Sequence, residues 1–280
     1  MRDRIDVICE GKTAMGLPDY QLTNDDGRVT IFLLHGIYGA KEYWRFQVAR
    51  LAARGYRVIA WEAPGYGLSP LPENFSFDLV AEAGARLIRA TGGERNVVFG
   101  HSMGGQITPR IVGKVPDRVH AAVITATIGY FANRTKEEQA EFVRLRSAPP
   151  PPGTDPAQAQ RMVVDSMIGP TSSGPEVELV RAVAAATPPK TVQAAVKAVQ
   201  AYPEFEAVAA FKAIRVPTLL GAGEVDQTGA PAGMRRVADM IPNAEFVVIS
   251  GSGHYPWAEN PEEFNRHFFS FLNRHAPANA

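Results

Sequence analysis

A chain of 280 residues with 45% hydrophobic composition can bury a large core, either as one domain with an insertion or as two small domains. Lysine plus arginine equals aspartate plus glutamate at 29 residues each, which excludes the basic surplus that a nucleic-acid-binding protein needs. No apolar run reaches the length of a signal peptide or a membrane span. The sequence therefore predicts a cytoplasmic protein with neither a nucleic-acid nor a membrane partner.

Disulfide and zinc chemistry are not expected. The one cysteine, Cys9, has no partner for an internal disulfide and is predicted to be an ordinary strand residue. Histidine and cysteine residues do not cluster at the spacing of zinc ligands. We therefore predict that the chain has no metal site.

Strand-like apolar runs alternate with helix-like segments in the first half of the chain. The runs are residues 30–34, 57–61, 96–99 and 119–125, and the amphipathic stretches between them are residues 43–54 and 78–91. This alternation predicts a parallel sheet that is covered by helices. The apolar run at residues 31–34 is nearly continuous, which fits burial on both faces of that sheet.

The middle of the chain differs from the first half in composition. It is alanine-rich with charged faces, and prolines at residues 148–153 and 187–189 interrupt it, so we expect several helices with proline breaks. Strand-like runs return at residues 216–221 and 245–249, and a closing amphipathic helix is predicted at residues 261–274.

Because sheet-type sequence resumes after the helical region, that region reads as an insertion in one domain rather than as an independent tail. We predict an α/β core formed by residues 1–126 and 213–280. The inserted helical cap is predicted at residues 127–212, directly after the fourth apolar run.

The segment Gly100-His101-Ser102-Met103-Gly104 places a serine between glycines at the end of an apolar run. Small residues on both sides allow the strained backbone of a nucleophile elbow, a strand-to-helix turn that holds a serine hydroxyl above the sheet. The bare pattern also fits a plain turn. The helical segment that follows, and an aspartate and a histidine later in the chain, favour Ser102 as a catalytic nucleophile.

A serine hydroxyl is a weak nucleophile, so it needs a base nearby and a third group that orients the base. His254 follows the last strand-like run in a glycine-rich loop, which brings it to the carboxyl edge of the sheet. Asp226 follows the penultimate run, and Glu224 in the same loop is the rival acid. We predict His254 as the base and Asp226, further out on its loop, as the acid.

Attack on a carbonyl creates an oxyanion, which preorganised backbone amides stabilise in a water-poor site. Two candidate amides are readable in the sequence. Met103 directly follows the nucleophile, and Ile37 follows His35-Gly36 at the end of an early strand-like run. We predict that the amides of Ile37 and Met103 form the oxyanion hole.

Taken together, these motifs resemble the α/β-hydrolase superfamily over nearly the whole chain. The resemblance rests on residues 34–36, residues 61–69, the elbow, residues 216–226 and residues 253–261, with the triad in the order serine, aspartate, histidine. It implies a mostly parallel eight-stranded sheet flanked by helices, with an inserted helical cap. It also implies a serine hydrolase that uses no cofactor.

Among the members of this superfamily, the chain is most similar to capped carboxylesterases and to hydrolases that cleave carbon–carbon bonds in ring-fission products. The latter usually have asparagine before the nucleophile and tryptophan after the base, where this chain has His101 and Tyr255. We therefore predict hydrolysis of a small, largely apolar carboxylic ester. Carbon–carbon bond hydrolysis and, from another class, a small-molecule receptor on the same fold stay open as alternatives.

A cap over the carboxyl edge of the sheet is expected to enclose a pocket for a small-molecule substrate. Its predicted floor residues are Tyr38, Val225, Tyr255 and Trp257. Arginines of the predicted cap are either solvated or, if one turns inward, suited to hold a substrate carboxylate. These arginines are Arg134, Arg144, Arg146, Arg161 and Arg181. Monomer and homodimer are both compatible with the sequence.

Overall fold

The computed structural model describes residues 7–11, 16–147 and 151–279, and its strands form a single sheet. The strands are β1 (Val7–Gly11), β2 (Tyr20–Thr23), β3 (Val29–Leu34), β4 (Arg57–Trp61), β5 (Arg95–His101), β6 (Ala121–Thr125), β7 (Thr218–Gly223) and β8 (Glu245–Ile249). Their order across the sheet is β1-β2-β4-β3-β5-β6-β7-β8. β2 is antiparallel to both of its neighbours, and the ladders from β4 to β8 are parallel. The predicted fold class, a mostly parallel eight-stranded α/β sheet, is confirmed.

Helices connect the parallel strands. They are α1 (Arg45–Ala52), α2 (Phe77–Thr91), α3 (Met103–Lys114), α4 (Lys136–Ser147), α5 (Pro156–Asp165), α6 (Pro175–Ala186), α7 (Pro189–Ala201), α8 (Glu204–Ala213), α9 (Pro231–Ala238), the short α10 (Pro256–Glu259) and α11 (Pro261–His275). Helix α3 follows β5 without a loop, and α4 to α8 form one continuous insertion between β6 and β7.

The central strands are apolar because they are covered on both faces. Every residue of β3, β6 and β7 is buried, whereas in the edge strand β8 only Ile249 is. Burying an apolar side chain of this kind contributes about 1.5–3 kcal/mol, so the centre of the sheet is the most stable part of the fold. The elbow is attached to that centre, at the end of β5.

The carboxyl ends of the parallel strands meet at one edge of the sheet. Leu34 of β3 lies beside Gly100 of β5, and Gly223 of β7 lies beside Ile249 of β8. The loops that leave β3, β5, β7 and β8 therefore start close together, although they are far apart in the sequence.

Glycines allow α3 to pack directly on the sheet. A Cβ atom on Gly104 would lie 2.8 Å from the carbonyl carbon of Leu34 and 3.0 Å from the carbonyl oxygen of His35. A Cβ atom on Gly100 would lie 2.5 Å from the carbonyl carbon of Gly104. Backbone atoms of a packed strand or helix cannot move aside as the end of a flexible side chain can, so both positions require glycine.

Helix α3 continues through Pro109, which is buried. Proline has no amide proton, so the carbonyl of Gly105 loses its usual helical partner. The structure shows no role for this proline in the neighbouring elbow.

Prolines begin three of the inserted helices. Pro156, Pro175 and Pro189 are the first residues of α5, α6 and α7, a position where the missing amide proton costs no hydrogen bond. The predicted proline break at residues 187–189 is thus the start of α7, and part of the break at residues 148–153 lies outside the described residues. The division into core and cap stays a prediction.

Polar contacts attach the insertion to the sheet. Arg50 of α1 donates to the carboxylate of Glu176 in α6, with Nη1 at 2.9 Å from Oε2. The hydroxyl of Thr191 in α7 donates to the carbonyl of Gly65 at 2.7 Å. These bonds hold α6 against α1 and α7 against the loop that follows β4.

The close approach of α3 to the sheet predicts opposite effects for two Gly-to-Ala substitutions in the same helix. Gly104→Ala forces α3 away from β3 and is expected to lower the free energy of unfolding by about 2 kcal/mol or more. A Cβ atom on Gly113 meets nothing within 4 Å, so Gly113→Ala is expected to raise it by about 0.5–1 kcal/mol. Urea titration of both variants measures the difference, and equal destabilisation of the two would contradict the packing argument.

Candidate active site

Ser102 lies at the turn between β5 and α3 with φ of 54° and ψ of −112°. This conformation is rare for a residue with a side chain and costs about 1–3 kcal/mol. Its amide donates to the carbonyl of Thr125 at 2.9 Å, and its carbonyl accepts from the amide of Gln106 at 3.1 Å. The backbone is thus held on both sides, while the hydroxyl makes no capping bond to α3.

The three predicted triad residues come together at the carboxyl edge of the sheet. Nε2 of His254 lies 3.0 Å from Oγ of Ser102, and Nδ1 of His254 lies 2.9 Å from Oδ2 of Asp226. A carboxylate only accepts hydrogen bonds, so it favours the tautomer with the proton on Nδ1. Nε2 then carries a lone pair that faces the serine hydroxyl.

Backbone amides fix the carboxylate of Asp226. Its other oxygen, Oδ1, accepts from the amides of Thr228 at 2.7 Å and Gly229 at 2.9 Å, and the residue is buried. The rival acid Glu224 is exposed and accepts from the amide of Gly251 instead. Of the two candidate acids, only Asp226 contacts the histidine.

Glu259 holds the loop that carries His254, a role that the sequence analysis did not assign. Its Oε2 accepts from the amide of Gly253 at 2.8 Å, and its Oε1 accepts from the amide of Tyr255 at 2.8 Å. One carboxylate therefore fixes the backbone on both sides of the histidine. The only sequence signal is that Glu259 lies in residues 253–261, one of the segments on which the family resemblance rests.

The insertion also contacts this loop directly. The amide of His254 donates to the carbonyl of Met167 at 2.8 Å, in the segment between α5 and α6. The same Oε2 of Glu259 accepts from the amide of Gly169 and from the hydroxyl of Ser172, each at 2.7 Å. The position of the histidine therefore depends on the insertion as well as on the sheet.

The two predicted oxyanion amides flank the serine. Met103 is the first residue of α3, where an amide has no helical acceptor. A Cβ atom on Gly36 would lie 3.5 Å from Oγ of Ser102, so the backbone before Ile37 passes directly beside the serine. Neither amide donates a hydrogen bond within the described residues, which leaves both available to a ligand.

His35 orients the peptide group that carries the Ile37 amide. Burial lowers the pKa of His35 to about 4, so the ring is neutral at pH 7. Its Nε2 accepts from the amide of Ala63 at 3.0 Å, and its Nδ1 donates to the carbonyl of Gly36 at 2.8 Å. The hydroxyl of Tyr66 donates to the next carbonyl, that of Ile37, at 2.9 Å. In a trans peptide the carbonyl of Gly36 and the amide of Ile37 point in opposite directions, so fixing one fixes the other.

His101 lies beside the nucleophile but is not positioned to act on it as a base. It is buried, its Nδ1 lies 3.0 Å from Oγ1 of Thr125, and its ring centroid lies 5.1 Å from that of His254. Burial, and secondarily the nearby His254, lower the pKa of His101 well below its usual value. The ring is therefore neutral and places no second charge against His254.

A cavity of about 30 Å³ opens above Ser102. It is lined by Ile37, Tyr38, His101, Phe142, His254 and Tyr255, among others. This volume exceeds what one water molecule needs but holds only a short acyl group. Two of the four predicted floor residues, Tyr38 and Tyr255, therefore lie where they were expected.

The other two predicted floor residues, Val225 and Trp257, do not line this cavity. Val225 is 43% exposed because its side chain turns outward where Asp226 turns inward. Trp257 is buried, with its ring centroid 4.6 Å from that of Trp44 and 4.9 Å from that of Tyr43. Trp257 therefore packs against Tyr43, which lines the cavity, and does not reach the cavity itself.

Two of the five predicted cap arginines, Arg134 and Arg146, line the same cavity. Burial lowers the pKa of Arg134 to about 10, with a further contribution from the charge of Arg146. Burial also lowers the pKa of Arg146. Both groups remain charged at neutral pH, so the cavity is positively charged on the side of the insertion.

A second, larger cavity of about 720 Å³ adjoins the first. Tyr38 and Arg146 line both cavities, and Gln160, Val192 and Lys197 belong only to the larger one. This volume falls within the range of ordinary small-molecule sites. A substrate with its reacting carbonyl at Ser102 thus has room to extend past Arg146.

In the part of the chain that the structure describes, no cluster of three or more histidine, cysteine, aspartate or glutamate residues forms a potential metal site. The helices of the same part include none with the length and apolarity needed to cross a membrane.

Comparisons with known proteins find similar sequences and similar folds. The chain is 26% identical over 251 residues to the putative carbamate hydrolase RutD of Pseudomonas syringae, covering 87% of this chain and 93% of that protein. It is also 26% identical over 264 residues to the polyketide synthase ThaQ of Burkholderia thailandensis, but spans only 12% of that protein's length. A malate-bound esterase structure from Thermogutta terrifontis superposes with a TM-score of 0.76 at 24% identity, covering 95% of this chain and 97% of the esterase.

The model of the alpha/beta hydrolase family matches residues 31–267, from β3 to the closing helix. This range includes the elbow, the inserted helices and the loops that carry Asp226 and His254. The chain therefore belongs to the alpha/beta hydrolase family.

Proposed function

We propose that this chain is a serine hydrolase that cleaves small carboxylic esters or related acyl compounds through Ser102, His254 and Asp226, without a cofactor. The observation that carries the proposal is the continuous hydrogen-bonded path from the serine hydroxyl to the buried carboxylate, at 3.0 and 2.9 Å. The path begins at Ser102, whose strained backbone conformation is that of a nucleophile elbow, in which the serine hydroxyl projects above the sheet. Similarity to an esterase and to a putative carbamate hydrolase supports acyl chemistry at this site.

Acylation uses both nitrogen atoms of His254. As Oγ of Ser102 attacks the carbonyl carbon, Nε2 takes the hydroxyl proton, and Asp226 stabilises the imidazolium through Nδ1. The carbonyl oxygen becomes an oxyanion between the amides of Ile37 and Met103. His254 then donates the proton to the leaving oxygen, the carbon–oxygen bond breaks, and the alcohol departs.

Deacylation repeats the same steps with water. Nε2 of His254 takes a proton from a water molecule as its oxygen attacks the acyl carbon, and the same two amides hold the second oxyanion. The proton returns to Oγ of Ser102 as the acyl–serine bond breaks. The carboxylic acid is released, and the enzyme is restored.

The insertion of α4 to α8 is proposed to act as a cap. It supplies Phe142 and Arg146 to the wall opposite the serine, which limits access of water to the reacting carbonyl. Exclusion of water strengthens the interaction of an oxyanion with backbone amides. The small volume over Ser102 admits only a short group, and the remainder of the substrate, on the acyl or the alcohol side, extends into the larger cavity.

Removal of the nucleophile is expected to abolish turnover. With p-nitrophenyl acetate, the wild type should release a burst of one p-nitrophenol per chain and carry one acetyl group by intact-protein mass spectrometry. Ser102→Ala should lose the burst and the adduct, with kcat/KM lower by about 10³-fold or more.

The matched control for Ser102→Ala is Ser252→Ala, because Ser252 is buried beside the His254 loop and its hydroxyl has no partner among the described residues. This control should retain both burst and adduct. A wild type with neither burst nor adduct would contradict the proposal and favour carbon–carbon bond hydrolysis or ligand reception.

Loss of the bond from His35 to the Gly36 carbonyl is expected to impair the oxyanion hole specifically. His35→Ala should lower kcat by about 10- to 100-fold with little change in KM, because the Ile37 amide remains but is no longer held in direction. The steady-state kinetics of a variant shown to be folded by near-ultraviolet circular dichroism measure this effect.

Tyr66→Phe provides a second, milder test, because it removes only the hydroxyl that donates to the carbonyl of the next peptide group, that of Ile37. We expect a smaller fall in kcat than for His35→Ala. A folded His35→Ala variant with wild-type kcat would contradict the orienting role of His35.

A further inference from the structure

Two arginines between β6 and β7, Arg134 and Arg146, line the candidate active site. They precede and follow the aromatic residue Phe142 in the sequence. Arg134 precedes α4, and Arg146 lies near its end. Their guanidinium carbons lie 4.9 and 3.9 Å from the ring centroid of Phe142, a buried residue of α4 that also lines the cavity. Both arginines line the cavity above Ser102.

Neither arginine forms a salt bridge within the described residues. Arg134 donates through Nη2 to the carbonyl of Thr228, and Arg146 donates through Nη1 to the carbonyl of Phe142 at 3.3 Å. Nη2 of Arg146 lies 3.2 Å from the sulfur of Met167. The Nε atom of each arginine is buried and has no hydrogen-bond partner in the same part of the chain.

The other three arginines named for this region behave differently. They pair with carboxylates: Arg144 with Glu141, Arg161 with Glu178, and Arg181 with Asp165. Arg134 and Arg146 are thus the two members of the set that turn inward, and they are the two without a carboxylate partner among the described residues.

Nearby acidic residues do not serve as counter-ions for Arg134 and Arg146. Asp226 attracts both guanidinium groups and Glu138 attracts Arg134, but neither acid lies within salt-bridge distance of them. Oδ1 of Asp226 is already occupied by two backbone amides and Oδ2 by His254. The two arginines also repel each other. Two partly buried like charges without a counter-ion are unfavourable unless an anion joins them.

We propose that Arg134 and Arg146 bind a carboxylate of the substrate, so that the preferred substrates carry a free carboxylate in addition to the scissile acyl group. A guanidinium donates two parallel hydrogen bonds to a carboxylate, and both guanidinium groups line the cavity without a carboxylate partner among the described residues. The inference rests on the proposed hydrolysis at Ser102 and names its substrate class. Half-esters of dicarboxylic acids and esters of hydroxy acids both fit.

The position of Arg146 places this carboxylate. Arg146 and Tyr38 line both cavities, so the carboxylate lies between the scissile bond and the larger space. The cavity over the serine is lined mainly by apolar surface apart from these arginines and the triad. A carboxylate therefore fixes which end of the substrate enters first.

The test compares esters that differ only in charge. Monoethyl succinate carries a carboxylate on the acyl side, where ethyl levulinate carries an acetyl group of similar size. Acetoxyacetate and acetoxyacetone differ in the same way on the alcohol side. Initial rates of acid release in a pH-stat give kcat/KM for each. We expect the wild type to prefer the anionic member of at least one pair by about 30-fold, the size of a charge-assisted pair of hydrogen bonds.

The variants assign that preference to the arginines. Arg134→Gln and Arg146→Gln should each lower the ratio of kcat/KM for the preferred anionic ester to kcat/KM for its neutral partner by about 10- to 30-fold, which brings the preference close to unity. Arg146→Lys keeps the charge but not the paired donors. Its preference for the anionic ester, as a ratio of kcat/KM values, should lie between that of Arg146→Gln and that of the wild type. Arg161→Gln removes the same charge from an exposed site outside both cavities and should leave the preference unchanged.

Failure of this inference and failure of the proposed hydrolysis give different results. If neutral and anionic esters react equally well in the wild type and the arginine variants, hydrolysis stands and the carboxylate site is wrong. If no ester reacts, calorimetric titration of Ser102→Ala with monoethyl succinate and ethyl levulinate decides the site alone. Binding of only the anionic ester, lost in Ser102→Ala/Arg146→Gln, supports it, and equal or absent binding of both overturns it.

Discussion

The close packing of α3 on the ends of β3 and β5 is the constraint on which the rest of this site depends. Gly100 and Gly104 allow backbone to meet backbone, and the chain can make so sharp a turn only by placing Ser102 at φ 54°. The strain of about 1–3 kcal/mol is offset by the buried sheet and helix on either side. The same turn begins α3 at Met103, whose amide has no helical acceptor and is the proposed donor to an oxyanion.

The remaining parts of the site come from loops, and polar contacts rather than the sheet give them precision. Asp226 is held by two amides, and His254 is held by Asp226, by the Met167 carbonyl and through Glu259. Because Glu259 also binds Gly169 of the insertion, a movement of the insertion is transmitted to His254. The insertion therefore contributes to the geometry of the proposed triad as well as to the walls of the cavity.

Sequence patterns predicted the elements that follow from periodicity and the residues that follow from strand ends. The bounds of β4 and β8 agree with the apolar runs at residues 57–61 and 245–249. The short, half-polar β2 has no such run. Val225 and Trp257 were assigned to the pocket from their nearness in sequence to triad residues, but which way a loop side chain turns depends on packing. For the same reason no pattern distinguished Arg134 and Arg146, which turn inward beside Phe142, from Arg144, which pairs at the surface.

We propose Ser102, activated by His254, as the nucleophile, and labelling with one equivalent of a fluorophosphonate, followed by proteolysis and mass spectrometry of the peptides, tests this directly. We expect one phosphonyl group per chain, located on Ser102, and labelling at least about 100-fold slower in His254→Ala, since an unactivated serine hydroxyl reacts slowly. No labelling, labelling of another residue such as Tyr255, or an equal rate in His254→Ala would contradict it.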